Sequence, residues 1–229
     1  MMKKIKPRHE IKHFINLCDY YEIKNRLKHI AKLDVNARAY GTYKIRSLYF
    51  DNFNNKALME KINGVNNREK FRIRFYNDVP SVIKLEKKSK INGLCLKNST
   101  MLTKNQCDLL LENHTSWLLK SNSDLLKELY AKMKYQFLRP KTIVDYTREA
   151  YIYEPGNVRI TIDSNLRTGL FAKNLFNSEV PTLGIPVNTT MILEVKYDEF
   201  LPEIIQDIIQ TKERQSTSVS KYAACRIYG

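Results

Sequence analysis

No segment rich in serine, glycine or proline divides this chain. Glycine and proline are scarce, at seven each in 229 residues, and no internal repeat is visible. A single domain over 1–229 is therefore the simplest expectation. No run of about 18 apolar residues occurs, so no membrane-spanning helix is expected. Met1–Lys12 is basic, but no apolar signal-peptide core follows it. The cysteines, Cys18, Cys95, Cys107 and Cys225, never form a C-x-x-C pair, which argues against a structural zinc site. Scattered thiols without a signal peptide suit the reducing cytoplasm. The four histidines show no metal-ligand spacing. Carboxylates are short as well: 24 Asp plus Glu against 39 Lys plus Arg leave a net charge of +15. That imbalance favours an anionic partner, whether nucleic acid, an acidic membrane surface or a phosphorylated small molecule.

What the chain does have is hydrophobic patterning for a large core, with 43% hydrophobic residues. Four stretches read as helices: 16–33 with Asn16 as N-cap, 103–119 opened by a Thr103–Gln106 capping box, 123–133 after Ser123, and a short helix after Pro202. The remainder reads as strands at 8–15, 43–51, 56–62, 68–76, 81–88, 95–101, 142–153, 157–163 and 190–197. Many strands among a few helices predict an α+β fold with a large antiparallel sheet.

The strands carry an unusual face. In REKFRIRFY, residues 68–76, Phe71, Ile73 and Phe75 share one parity and Arg68, Lys70, Arg72 and Arg74 the other. Same-side residues on a strand stand roughly 7 Å apart, so the cations form a row of like charges. The pattern recurs. Arg8, Glu10 and Lys12 share a parity, as do Lys84, Glu86 and Lys88; Arg159, Thr161 and Asp163; Glu194 and Lys196; and Tyr146 and Arg148. Any one such face is what a solvated sheet surface carries. Their repetition, dominated by cations and punctuated by E-x-K pairs, suggests a closed barrel of about eight strands with the charged parity inward and the helices outside. A lumen so charged calls for a polyanion, gripped by arginine forks and lysines. The glutamates would hold a divalent cation against its phosphates.

The ordered set RHEIKHFI, SLYFDN, REKFRIRFY, LEKK, YTREAY, ILEVKY and SVSKY resembles the VTC catalytic domain, a polyphosphate polymerase of the triphosphate tunnel metalloenzyme superfamily, over about residues 8–225. The resemblance implies a tunnel-forming barrel. It also implies transfer of the terminal phosphate of ATP to inorganic polyphosphate, with Mn²⁺ or Mg²⁺ as activator. By motif it implies catalytic roles for Lys12, Arg72, Arg74, Lys88 and Arg148. Phosphate-binding positions would be Tyr146, Lys196, Ser220 and Lys221 by motif and Lys97 by a looser alignment, with Lys70, Lys84 and Arg159 added by their place on the charged parity. Glu194 would be the metal-binding glutamate, joined by Glu10 or Glu86. Family members can carry a histidine where Lys90 stands here, so no proton-transfer role is assigned there. Asp51, in SLYFDN, reads as a turn residue. The chain reads as a free-standing enzyme of the bacterial type, and the resemblance leaves room for membrane-associated partner proteins.

Two other readings stay open. A triphosphatase of the same superfamily would use nearly the same residues with water in place of the chain end. A non-enzymatic binder of polyphosphate or nucleic acid would also suit the charge. Nucleic acid is the less expected partner, because carboxylates sit among the cations and would repel its backbone.

Overall fold

Alternation along the strands produces one antiparallel sheet. The computed structural model describes residues 7–37, 41–185, 191–210 and 218–228. The sheet runs β1 (His9–Ile15), β10 (Met191–Tyr197), β8 (Val158–Thr168), β7 (Arg139–Tyr153), β3 (Thr42–Asp51), β4 (Arg68–Tyr76), β5 (Val79–Ile91) and β6 (Leu94–Leu102). Short strands β2 (Lys32–Leu33) and β9 (Leu183–Gly184) pair with β7 and β8. The strand expected over 190–197 is β10; Thr190 lies outside the described residues.

The α+β class holds, but the barrel is open rather than closed. The edge strands meet at one isolated bridge, where Arg8 and Cys95 exchange N–H···O bonds of 3.2 Å. No longer ladder joins β1 to β6 among the described residues. Among the described residues β1 pairs along its length only with β10, and β6 only with β5, so beyond that rung both edges stay unpaired.

The apolar parity of the strands packs outward under helices. α1 (Leu17–Leu27) and α5 (Glu203–Ile209) cover Ile15, Ile160, Leu193 and Val195. α3 (Lys104–Leu111) and α4 (Asp124–Tyr135) cover Phe71, Ile73, Phe75 and Leu85. Capping boxes open α1 and α3: Asn16 and Asp19 exchange bonds of 2.8 and 2.9 Å, and Thr103 and Gln106 bonds of 3.1 and 2.9 Å. Each cap contributes about 1 kcal/mol.

Not every helix lies outside. α2 (Lys56–Ile62) and α6 (Lys221–Ile227) close over the concave face, where Leu58, Tyr222, Ala223 and Cys225 bury against Tyr43, Ile45, Tyr49, Val144 and Tyr146. The concave side is thus part apolar core and part charged cluster. α2 occupies the segment expected to be a strand at 56–62. Seven residues with scattered apolar positions fit either period, and Leu58 alone is buried. The helix expected to reach Leu119 stops at Leu111, two residues before Asn113 turns left-handed at φ 67°, and a 3₁₀ turn at Ser116–Leu118 follows. Cys18 is exposed. Among the described residues no helix is long and apolar enough to cross a membrane.

Candidate functional site

The row on β4 turns to the concave face because Phe71, Ile73 and Phe75 are taken by the outer core. Its counter-charge comes from the neighbouring strand. Arg72 stands opposite Glu86 in register, and its guanidinium lies 2.6 Å from that carboxylate. Arg74 is 3.9 Å from Glu86, and Lys97 reaches it from β6 at 2.7 Å. Burial pushes the Glu86 carboxyl up, but Arg72, Arg74 and Lys97 outweigh this and hold it far below the usual carboxylate range. Arg72 also donates to the Tyr49 hydroxyl at 2.8 Å, and Arg74 to Ser47 at 2.9 Å and to Tyr146 at 2.7 Å.

A second cluster forms where β1 and β10 lie side by side. Glu10 faces Lys196 and Lys12 faces Glu194 in register. Glu10 binds Lys12 at 2.8 Å and, from β5, Lys88 at 2.6 Å. Lys196 contacts Glu194 and lies 3.9 Å from Glu10. Burial and the neighbouring Glu194 raise the Glu10 carboxyl, yet Lys88, Lys12 and Lys196 bring it down to about 2. Burial works against the Lys12 ammonium, but Glu194 and Glu10 keep it protonated, above its ordinary value.

The C-terminal helix completes the arrangement. Lys221 lies 2.6 Å from Asp163 on β8 and 3.8 Å from Glu194. Arg148 grips the same Asp163 through two bonds of 2.6 and 2.7 Å. The ring of Tyr146 is flanked by Arg74, Arg148 and Lys221, each within 6 Å of its centroid. Ser220 caps α6 and accepts from Lys70 at 3.3 Å, while Lys12 donates to the Val219 carbonyl at 3.2 Å.

Towards the outer end of β4 the cross-strand partners of the row are cations. Arg68 faces Lys90, and Lys70 faces Lys88, which in turn faces Lys97. Like charges directly opposite each other on a sheet are destabilising. Lys61 of α2 joins them, bonded to Ser218 at 2.8 Å. Burial and then Arg68, Lys12 and Lys90 push Lys61 down to about 8. Burial, with Lys88, Lys12 and Arg72, pushes Lys70 down to about 7. Tyr49 lies beneath Lys70 and Arg72, and although burial raises its phenol, those cations and Arg74 bring it well below its ordinary value.

Most of the residues singled out from sequence therefore meet in one network of ion pairs and hydrogen bonds on the concave face. Arg159 is turned aside, to Asp34 and to the Tyr43 hydroxyl at 3.1 Å. Lys84 stands opposite Arg74 in register, at half burial. Asp51 does more than turn the chain: it accepts from Ala57 and Leu58 at the start of α2 and from the Tyr222 hydroxyl at 2.6 Å. Tyr49, Ser47 and Lys61 stand outside the charged pattern read from the sequence, and Asp163 enters it without a site role. Asp163 shares the parity of Arg159, and Tyr49 the parity of Asp51; those signals were present but carried no cation.

Among the described residues no three His, Cys, Asp or Glu side chains are grouped to hold a metal ion. Glu86 takes different partners from Glu10 and Glu194. The latter two sit near enough for Glu194 to raise Glu10. A magnesium-type ion keeps several waters and uses one or two carboxylates plus substrate phosphates. Glu10 and Glu194, hard oxygen donors on adjacent strands, fit that requirement.

This architecture, a cationic concave sheet with a helix laid across it, is that of the triphosphate tunnel metalloenzymes. The chain belongs to the VTC domain family, whose model matches residues 7–227. No curated protein matches it in sequence. Among solved structures, it is similar in fold to a candidate adenylyl cyclase from Hippeastrum described as having a dominant triphosphatase activity, at 15% identity and TM-score 0.55, covering 95% of this chain and 94% of that one. It is likewise similar to a candidate adenylate cyclase from Bacillus halodurans, at 12% identity and TM-score 0.51, covering 85% and 82%.

Proposed function

We propose that residues 1–229 act as a single tunnel domain that transfers the terminal phosphate of ATP to a growing inorganic polyphosphate chain. The observation that carries this reading is the excess of cations over carboxylates on the concave face, and its direction. The row Arg68, Lys70, Arg72 and Arg74 spans about 20 Å of strand, and the outer part of it, with Lys90 and Lys61, has no carboxylate among its cross-strand partners. A triphosphate does not need that length; a chain does.

Phosphoryl transfer asks the protein mainly for positioning and charge neutralisation. In this reading Arg72 and Arg74 present forks to the phosphates of ATP, while Lys12, Lys88, Lys196 and Arg148 surround the transferring group. Glu86 acts as a resident counter-charge that yields Arg72 and Arg74 when phosphate arrives. The terminal oxygen of the acceptor chain attacks the γ-phosphorus, the bond to ADP breaks, and ADP leaves with its electron pair. The attacking oxygen is already anionic, so no general base is needed. Divalent metals are general in the superfamily; Glu194 and Glu10 would hold Mg²⁺ or Mn²⁺, which would supply Lewis-acid neutralisation of phosphate charge.

The Hippeastrum neighbour favours a second reading, hydrolysis of triphosphate by water at the same site. One experiment separates the two. Incubation with ATP and Mn²⁺ yields long phosphate polymers on a gel under the first reading and free phosphate alone under the second. Salt-dependent RNA binding without nucleotide turnover would overturn both.

A further inference from the structure

Three phenylalanines stand out in solvent away from the charged cavity. Phe53, between β3 and α2, is 72% exposed; Phe137, between α4 and β7, is 57% exposed; Phe171, after β8, is 73% exposed. They are not scattered. The rings of Phe53 and Phe137 meet edge to face with centroids 6.4 Å apart. All three border one shallow depression of about 740 Å³, together with Arg139, Lys141 and Lys173. The one carboxylate on its lining is Asp51, which is buried and engaged by α2 and Tyr222. The depression therefore offers apolar rings and positive charge, and almost no negative charge.

The backbone sets two of these rings in place at a cost. Phe137 itself is left-handed at φ 55°, and Leu170, directly before Phe171, at φ 39°. Bulky residues avoid that region, and strain kept at a surface is a pointer to function rather than to packing. An apolar patch rimmed by charge marks an interaction site. The charges here select an anionic partner. The rings protrude rather than line a deep groove, which suits a fluid phase that closes around them better than a shaped protein surface.

We propose that this face docks on an anionic lipid surface. Phe53, Phe137 and Phe171 bury their rings at the boundary between headgroups and acyl chains, and Lys141 and Lys173 meet the headgroup phosphates, while Arg139, which donates to the Met133 and Leu138 carbonyls, adds positive charge beside them. The net charge of +15 adds long-range attraction. The inference is independent of the reaction assigned to the cavity.

Vesicle flotation tests it. The protein should float with phosphatidylcholine vesicles containing phosphatidylglycerol, but not with pure phosphatidylcholine, and binding should weaken as salt is raised. Phe53→Ser with Phe171→Ser should lower the partition coefficient at least tenfold, and Lys141→Glu with Lys173→Glu should do the same. Both pairs lie outside the outer cores, and an unchanged melting temperature confirms that the fold survives. Arg72→Ala should float like the parent, which separates this face from the cationic cavity. Absence of flotation, or flotation unaffected by both surface pairs, overturns the proposal. So does a result in which those substitutions abolish self-association on a sizing column while vesicle binding was never present.

Discussion

Glu10 and Lys88, 78 residues apart in the chain, form an ion pair of 2.6 Å between β1 and β5. β1 is an edge strand and β5 lies next to the other edge. Their contact shows that the sheet has curled far enough for its two ends to share one charged cluster. The inner charges are thus each other's counter-ions, and any bound anion must compete with the protein's own carboxylates.

Arg72→Ala removes a fork that is already desolvated and aligned. Loss of one such group at a site of developing charge costs about 2.7–4 kcal/mol of transition-state stabilisation, or roughly 10²–10³ in rate. Turnover of ATP by the Arg72→Ala protein should fall by that factor, with Arg72→Lys intermediate because lysine keeps the charge and loses the fork. An unchanged rate would remove Arg72 from the site.

Glu86→Gln should act in opposite senses on stability and on ligand response. It leaves Arg72, Arg74 and Lys97 without their shared carboxylate. Removing one partner of a buried ion pair costs about 3–5 kcal/mol. The ligand-free variant should melt earlier than wild type, and tripolyphosphate, supplying the missing charge, should raise its melting temperature by more. An equal rise in both proteins would contradict the role given to Glu86.

Lys70 should make the binding of tripolyphosphate pH-dependent. Its folded-state value of about 7 lies below its ordinary 10.5, so between those values the unfolded chain binds more protons than the folded one. Stability from this group is therefore lowest below pH 7 and rises with pH through the window from about 7 to 10.5. A bound phosphate favours the ammonium, so binding of tripolyphosphate at pH 8 should take up protons. Lys196, pushed down to about 8 mainly by burial, adds to the uptake. Calorimetry in two buffers of different ionisation enthalpy measures it, and Lys70→Met should reduce it.

Asn16→Ala gives a control distant from the cavity. The substitution removes the side-chain half of the capping box that opens α1. Stability to urea should fall by about 1 kcal/mol, while ATP turnover at a temperature well below the melt stays at the wild-type rate.

The strands and their faces were legible because period-two alternation is a local property. Phe71, Ile73 and Phe75 announce an outward face whatever surrounds them, and Arg72, Arg74, Glu86 and Glu194 must then share the other. The capping boxes at Asn16 and Thr103 are legible for the same reason, each being complete within four residues. The segment 56–62 was not legible, since its few apolar positions fit a strand or a helix and only the packing of Leu58 under α6 decides. The helix at 221–227 was missed too. Its apolar residues, Tyr222, Ala223 and Cys225, fill the concave side, where alternation alone implied charge.

Which side chains share a face follows from the covalent chain, because successive side chains on a strand point in opposite directions. Which faces meet does not follow. The bridge between Arg8 and Cys95, the grip of Lys221 on Asp163 and the opening left between β1 and β6 depend on sheet twist, strand stagger and the seating of α6. These quantities join residues far apart in sequence, and they take their values only when the whole sheet has curled.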